Sequence, residues 1–235
     1  MTATPGPSAS ANFPIRGWFA DCHPHFRREF LALARPKSCP AGTAIYQAGE
    51  VGPDVFGIKS GVVTLQGKFP HPDAVLLHML WPGEWFGTVP VLLQGTRRVT
   101  AVARTDAELL RIPGDELRAL LRLRPEWVAE LGRELAYSMD LAMQIAADLL
   151  IRNASARCAA VLLRLAGRRW ASGPDADLPS RIPASQGELA MLCNVSRNTF
   201  SRVVREFSGQ RLVTLDYRVL NISDPARLRN VADGG

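Results

Sequence analysis

The pattern of hydrophobic positions changes near residue 113. Between residues 40 and 112, short apolar runs such as TAIYQA and GVVTLQG alternate with glycine and proline turn signals, a pattern typical of many short strands in a sandwich, roll or barrel. After Pro113 the period becomes helical. GDELRALLRLRP predicts a short helix that stops near Pro125, and a longer helix follows it. The chain is therefore predicted to be an α+β protein whose β-rich part comes first.

The longer helix, over residues 126–153, carries a narrow apolar stripe. Its members recur at alternating spacings of three and four residues, as in a heptad repeat, and they are Val128, Leu131, Leu135, Ser138, Ala142, Ile145 and Leu149. Such a stripe favours a parallel seam with a second copy of the chain. A core helix that packs only on its own domain is the alternative.

The last third of the chain predicts two short helices separated by a tight turn. Ser185 and Glu188 form an S-x-x-E capping box that starts the first helix. Asn194 lies where the turn needs a residue that tolerates positive φ, and Ser196 caps the second helix. One side of that second helix is apolar at spacings i, i+3, i+4 and i+7, with Phe200, Val203, Val204 and Phe207.

The other side of the second helix is polar and basic. It carries Arg197, Asn198, Ser201, Arg202 and Arg205. Arginine can donate two hydrogen bonds to guanine and asparagine can pair with adenine, so this face predicts a helix-turn-helix that binds double-stranded DNA. Nearby hydroxyl residues join the predicted DNA-binding set: Ser185, Ser196 and Thr199. The alternative is an ordinary solvated helix, but such faces mix charges, and here the only acid is Glu206 near the edge.

The segment after the second helix predicts a β-wing. LVTLDYRVLNI contains two strand-like runs around Asp216–Tyr217. Arg211 and Arg218 flank the turn, where they are expected to contact phosphates and to position the protein without reading bases.

The charge is distributed unevenly along the chain. Residues 1–150 contain 15 basic and 15 acidic side chains, whereas residues 151–235 contain 13 arginines and 7 acidic residues, so the whole excess, 13 − 7 = +6, lies in the last third. A basic part beside a neutral one suggests that only the last third meets a polyanion. A preference for arginine over lysine in GC-rich coding would also produce this excess.

Other classes of protein find little support. The four cysteines form no CxxC pair, so neither a disulfide scaffold nor a zinc module is expected, and reduced thiols indicate a cytoplasmic protein. No apolar run approaches the roughly 20 residues of a membrane span. Residues 1–29 lack the features of a secretory signal and are interpreted as an N-terminal tail. Walker A, H-E-x-x-H and G-x-S-x-G motifs are absent, so no enzymatic activity is expected.

Together these motifs resemble the Crp/Fnr superfamily of bacterial transcription regulators. The resemblance runs from about Phe30 to Val219 and rests on AGTAIYQAGE, KSGVV, PGEWFG, ARTDAELLRI and LAMLCNVSRNTFSRVVREF. It implies a cyclic-nucleotide-binding-like β-roll sensor over residues 30–124, a dimerisation helix over 125–152 and a winged helix-turn-helix domain over 153–235. It also implies a homodimer that reads a palindromic site, with RNA polymerase as a further partner.

The same resemblance places the base-reading positions on Arg197, Asn198 and Arg202. The family often has glutamate at the middle position, so Asn198 departs from the pattern and the preferred half-site is expected to differ. The alternative function is a sensor with a different effector, or none, that acts through protein partners and binds DNA weakly.

The effector pocket that the resemblance implies is degenerate here. The family's Gly-Glu pair, whose carboxylate holds a ribose hydroxyl, aligns with Gly87 and Thr88. Its phosphate-binding pair aligns with Arg97 and Arg98, which keeps the arginine and loses the small hydroxyl residue. Each lost charge-assisted hydrogen bond costs about 1.5–3 kcal/mol. The family also has two hydroxyl residues that contact the base, and they align with Ala142 and Met143.

Three of the four polar features are therefore missing, and cyclic AMP is not expected as the effector. The two arginines would then bind another anion or pair with acids of the long helix such as Glu134 or Asp140.

Sensing by a metal or cluster is also not expected. An iron–sulfur cluster usually needs four thiolates, and only Cys22 and Cys39 precede the roll. Cys22, His23 and His25 offer three metal or haem donors, but so close a group in a tail is more simply incidental. Cys193 is interpreted as a core residue, with sensitivity to oxidation as a second possibility.

Overall fold

The structure is a computed structural model that describes residues 12–67, 75–93, 95–169 and 180–234. The chain divides into two compact units, Met1–Asp140 and Leu141–Gly235. Residues 1–11 of the predicted tail and residues 170–179 lie outside the described residues. Within the described ranges, no helix is both long and apolar enough to cross a membrane.

The first unit, as described, combines two N-terminal helices, eight strands, two further helices and the first part of a third. The N-terminal helices are α1 (Trp18–Asp21) and α2 (Pro24–Ala32). The strands are β1 (Arg35–Cys39), β2 (Ala44–Tyr46), β3 (Val55–Ser60), β4 (Val63–Gly67), β5 (Val75–Leu80), β6 (Trp85–Phe86), β7 (Thr100–Ala103) and β8 (Ala107–Ile112). Helix α3 (Val89–Leu92) follows β6, and α4 (Gly114–Leu123), a 3₁₀ turn (Pro125–Trp127) and α5 (Val128–Leu150) follow β8.

The strands form the predicted β-roll. Two antiparallel four-stranded sheets have the orders β1-β8-β3-β6 and β2-β7-β4-β5. Aromatic rings help to fill one core cluster of the roll: the Phe56 ring stacks on Phe86 with centroids 5.6 Å apart, and Tyr46 lies 6.0 Å from Phe56. A second cluster combines other strand residues with the helices of this unit.

The interpretation of residues 1–29 as a tail is wrong for the part that the structure describes. Trp18–Asp21 and Pro24–Ala32 form α1 and α2, and the tryptophan and phenylalanine side chains of these helices lie in the second core cluster. Phe19 and Phe30 are fully buried, and their rings lie 5.3 Å and 4.8 Å from the Trp85 ring of β6. The i, i+4 spacing of Phe26 and Phe30 places them on one face of a helix, which the sequence alone can predict. Their packing partners depend on the position of the sheet.

Helix α5 agrees with the predicted long helix but does not form a separate segment. The boundary between the two units falls inside it. Leu131 is fully buried with Leu117 and Trp127 in the core of the first unit, so its assignment to a dimer seam is wrong. The remaining seam residues are exposed or half-buried: Val128, Leu135, Ser138, Ala142, Ile145 and Leu149.

The second unit contains the predicted winged helix-turn-helix. Its elements after α5 are α6 (Ala154–Leu165), β9 (Arg181–Ile182), α7 (Gln186–Leu192), α8 (Arg197–Gly209), β10 (Val213–Asp216), β11 (Val219–Ile222) and α9 (Pro225–Ala232). The three strands form one sheet in the order β10-β11-β9. Asn153 caps α6, because its side chain accepts a hydrogen bond from the Ala156 amide at 3.0 Å. Sequence analysis did not identify α9.

Candidate DNA-reading helix and sensor pocket

Hydroxyl side chains fix where the two helices of the motif begin. Ser185 and Glu188 form the predicted capping box of α7: the Ser185 amide donates to Glu188 Oε2 at 2.8 Å, and the Glu188 amide donates to Ser185 Oγ at 3.3 Å. Ser196 Oγ accepts from the Thr199 amide at 3.1 Å and lies 2.9 Å from Thr199 Oγ1. Ser185, Ser196 and Thr199 therefore hold the helix starts in position in the free protein.

Helix α8 has the two faces that its sequence predicts. Phe200, Val203, Val204 and Phe207 are buried, whereas the polar set on the other side faces solvent. Exposed there are Arg197, Asn198, Arg202 and Arg205, with Ser201 half-buried. The structure thus brings the predicted base-reading residues onto one accessible face.

The arginines of this face differ in whether they have an acidic partner. Arg202 Nη1 lies 3.3 Å from Glu206 Oε1, and both side chains are largely exposed. Among the described residues, neither Arg197 nor Arg205 forms an ion pair. An exposed pair of this kind contributes little stability, about 0–1 kcal/mol, so Glu206 is a weak competitor for Arg202.

The turn between α7 and α8 is held by a residue that sequence analysis missed. Asn194 adopts the predicted left-handed conformation with φ of 50°. Arg157 of α6 donates from Nε to the Cys193 carbonyl at 2.8 Å and from Nη1 to the Ile151 carbonyl at 2.5 Å. Arg157 is one of several arginines that lie close together in the sequence, so no local pattern distinguishes it from its neighbours.

The wing lies directly after the reading helix. Asp216 pairs with Val219, and Tyr217 at the tip is 91% exposed. Arg211 and Arg218 are exposed and both adopt positive φ, 60° and 56°. Helix α8 includes Gly209, and the residue with positive φ that follows the helix is Arg211.

Arg97 of the sensor unit is turned inward. It is 5% exposed, and its guanidinium donates from Nη1 to the Gly87 carbonyl at 2.9 Å and from Nη2 to the Asp54 carbonyl at 2.6 Å. The guanidinium carbon also lies 4.2 Å from the centre of the Tyr46 ring, a cation–π contact. The expected alternative ion pairs with Glu134 or Asp140 do not form among the described residues.

Gly87 permits this arrangement. Its φ is 88°, and a Cβ there would lie 2.8 Å from Arg97 Nη1 and 3.0 Å from the Asp54 carbonyl oxygen. Both the backbone conformation and the space therefore exclude a side chain. In this structure, the absence of a side chain at Gly87 leaves room for the Arg97 guanidinium.

A carboxyl group reaches the neighbourhood of Thr88 from helix α5. Thr88 itself is 1% exposed. Burial raises the pKa of the Glu134 carboxyl, and the hydroxyls of Ser138 and Thr88 oppose the rise; Ser138 Oγ donates to Glu134 Oε1 at 2.9 Å. The acid that the roll lacks at Thr88 is thus present nearby, but on the helix.

The other residues of the predicted effector pocket are exposed. Arg98 is exposed rather than packed inside the roll. Ala142 and Met143 belong to the second unit, and both are exposed on α5, Met143 by 61%.

The cysteine and histidine side chains have local partners. Cys22 Sγ donates to the Trp18 carbonyl at 3.3 Å, and burial raises the pKa of its thiol to about 12. His23 Nδ1 accepts from the His25 amide and caps α2, and His25 Nε2 lies 3.4 Å from a Glu29 carboxylate oxygen. Within the described residues, no group of His, Cys, Asp and Glu could hold a metal ion.

Cys193 lies where the sequence predicted a core residue. It is fully buried at the end of α7. A hydrogen bond with Cys158, together with burial, raises the pKa of its thiol well above the ordinary value. A thiol in that state is a poor nucleophile.

An exposed basic helix in a winged helix-turn-helix, together with a β-roll, defines a DNA-binding regulator with a sensor-type domain. Residues 36–124 match the family model of the cyclic nucleotide-binding domain, and residues 156–231 match that of the Crp-like helix-turn-helix domain. The cyclic AMP receptor protein of Thermus thermophilus is 32% identical over 205 residues, 87% of this chain and 91% of that protein. The chain belongs to the Crp/Fnr family of transcription regulators.

Two further relatives extend the comparison. The CRP-like cAMP-activated global transcriptional regulator of Mycobacterium tuberculosis is 28% identical over 212 residues, 90% of this chain and 94% of the relative. The solved structure of the c-di-GMP-responsive regulator CLP of Xanthomonas campestris has a TM-score of 0.64 at 21% identity, over 85% of this chain and 99% of that one. The latter likeness concerns the fold alone.

Proposed function

We propose that this regulator is a homodimer that reads a palindromic DNA site with helix α8 and that cyclic AMP does not control it. The observation that carries the DNA-reading part is the exposed face of α8, where Arg197 and Arg205 have no acidic partner among the described residues. Side chains that are exposed and unpaired in the free protein lose little when they bind bases or phosphates. Arg197 and Asn198 begin the helix, and in helix-turn-helix proteins the N-terminal residues contact base edges.

The surface of α5 supports the homodimer. Apolar and small residues recur on it at alternating spacings of three and four, and they are exposed: Ala136, Met139, Met143, Ala146 and Leu150. Met139, Met143 and Leu150 are 65%, 61% and 81% exposed. A surface helix rarely exposes such a stripe without a partner, and a second copy offers the same stripe. In a symmetric dimer the two reading helices lie about 34 Å apart and read a palindrome.

The state of Arg97 argues against cyclic AMP. In the family's seat this arginine and a carboxylate of the roll hold the nucleotide, whereas here the guanidinium is buried and donates to two carbonyls of its own chain. Thr88 supplies no carboxylate. The relatives from Thermus thermophilus and Mycobacterium tuberculosis carry cyclic AMP in their names, so the proposal distinguishes this chain from them.

The reading face is tested by selecting binding sites from random duplexes and measuring affinity for the selected site. Arg197→Ala and Arg202→Ala each remove one bidentate base contact from each half-site, two per dimer, so each should weaken specific binding about 30-fold or more and relax selectivity at one position of each half-site. Arg122→Ala is the control, because it removes the same charge from an exposed position of α4. If both reading variants select and bind the site as the wild type does, α8 is not the reading helix.

The other two parts of the proposal have separate measurements. Sedimentation equilibrium should show a dimer, and Met139→Glu with Met143→Glu should shift it towards monomer, because a carboxylate in an apolar seam is costly to bury. Cyclic AMP should leave the affinity for the selected site unchanged. A rise in that affinity at micromolar cyclic AMP contradicts the third part and leaves the first two standing.

A further inference from the structure

The roll has a second opening that differs from the family's nucleotide seat. A cavity of about 640 Å³ lies at the start of β1 and the end of β2. Its walls include residues of β1, β2, β3 and β8 and of the segment from residue 50 to residue 54. Of the described residues around the family's seat, Arg97 reaches it, whereas Gly87 and Thr88 do not line it. Its volume is typical of pockets that bind small organic molecules.

Basic side chains outnumber acids in this cavity. Four cations line it, and the lining acids are Glu50 and Asp54. The cations are Arg35, Lys37, Arg97 and Arg111. Strand pairing explains the cluster, because Arg35 of β1 is the partner of Arg111 of β8, which in turn pairs with Phe56 of β3. Residues paired across neighbouring strands project to the same face.

Two of the four cations are already neutralised. Arg111 Nε lies 2.5 Å from Asp54 Oδ2, and Arg35 forms an ion pair with Glu116 of α4. Lys37 and Arg97 form no ion pair with a carboxylate among the described residues. Arg97 uses two of its five N–H donors on carbonyls, and the Lys37 ammonium lies 5.3 Å from the centre of the Phe56 ring.

We propose that this cavity binds a small organic anion that carries a phosphoryl or carboxylate group, with Lys37 as its principal ligand and Arg97 at its inner wall. The two cations without a carboxylate give the cavity an excess of positive charge, and the Tyr46 and Phe56 rings beside them limit their access to water. Both conditions strengthen an anion contact. Glu50, an exposed acid of the lining, opposes it. The site does not depend on whether the protein reads DNA.

The test is titration of the full-length protein with inorganic phosphate, adenosine monophosphate and citrate at constant ionic strength, followed by calorimetry. At least one probe should bind saturably. Lys37→Met keeps the length of the side chain and removes its charge, so it should weaken binding about tenfold. Lys59→Met is the matched control, since Lys59 lies on β3 but does not line the cavity. Glu50→Gln should tighten binding about threefold.

The pattern across probes separates the two chemistries. Tighter binding of phosphate and adenosine monophosphate than of citrate assigns a phosphoryl group, and the reverse order assigns a carboxylate. The proposal is overturned if no probe binds saturably, or if Lys37→Met and Lys59→Met bind alike. Because the measurement contains no DNA, a failure here leaves the proposed function untouched, and loss of DNA reading in Arg197→Ala would not affect this result.

Discussion

Arg97 in the roll and Arg197 in α8 show how the same side chain takes opposite roles. Arg97 is buried, donates to two backbone carbonyls and contacts a tyrosine ring. Arg197 is exposed at the first turn of α8, and no ion pair involves it among the described residues. The first arginine is therefore held in place by its own chain at the inner wall of the proposed anion cavity, whereas the second faces solvent and remains available to DNA.

This difference teaches that a residue aligned with a family's ligand-binding position need not be available for that ligand. The Gly87 and Arg97 positions keep the family's residue types, yet each has a partner within the chain. The reading face, by contrast, departs from the family at Asn198, and yet its arginines and Asn198 are exposed. Accessibility therefore distinguishes the two regions better than agreement with the family does.

The largest expected effect separates the two arginines by stability. Arg97→Ala should lower the free energy of unfolding by about 4 kcal/mol, because it leaves two buried carbonyls without their donor and removes packing against Tyr46. Arg197→Ala should change it by no more than about 0.5 kcal/mol. Urea denaturation of both variants measures this. Equal losses in the two variants would show that the buried contacts of Arg97 do not stabilise the fold.

The next effect concerns pH and the sensor unit. Burial raises the pKa of Glu84 from 4.5 to about 7, although its Oε2 accepts a hydrogen bond from the Trp81 amide at 2.6 Å. Because the folded protein keeps this proton after the unfolded chain has lost it, stability should fall as pH rises from about 4.5 to about 7, by about 3 kcal/mol at most.

Glu84→Gln isolates this contribution, since the amide oxygen can still accept from Trp81 but does not titrate. Urea denaturation at about pH 5 and about pH 8 should show a smaller loss in the variant than in the wild type. The same loss in both proteins would mean that Glu84 is ionised at neutral pH in the fold.

A smaller effect tests whether Gly87 is retained for Arg97. Gly87→Ala should destabilise the protein by about 2 kcal/mol, because φ is 88° and the new Cβ meets the Arg97 guanidinium. Gly49→Ala has a similar φ of 91° with open space around it and should cost about 1 kcal/mol from the backbone alone. If thermal unfolding shows the same cost for both, contact with Arg97 is not what requires glycine.

The smallest effect concerns the wing. Arg218→Ala should weaken DNA binding only a few-fold and to the same degree for specific and random duplexes, because a phosphate contact carries no sequence information. Each subunit of the dimer loses one phosphate contact, so the slope of log affinity against log salt concentration should fall in magnitude by about 1.8, or about 0.9 per contact. Arg122→Ala again serves as the control. A loss confined to the specific duplex would give Arg218 a reading role instead.

The amino-acid sequence by itself determined the reading region closely. Capping by Ser185, Asn153 and Ser196, the left-handed Asn194 and the two faces of α8 all depend on residues within a few positions of one another. Helix caps and helical periodicity are local interactions, so their patterns are visible in the sequence. The resemblance to the family and the predicted β-roll also rest on short motifs, each of which lies within a few neighbouring residues.

Only the tertiary structure decided which side chains are available. Arg97 takes one acceptor from Asp54, 43 residues earlier in the chain, and Arg157 holds a turn 36 residues later. Leu131 does not belong to the predicted seam, because the core of its own unit covers it. The described residues of the segment interpreted as a tail are buried because their aromatic rings pack against Trp85 of the sheet. Contacts over such separations depend on how the elements pack, and no local pattern records which partner a buried group will meet.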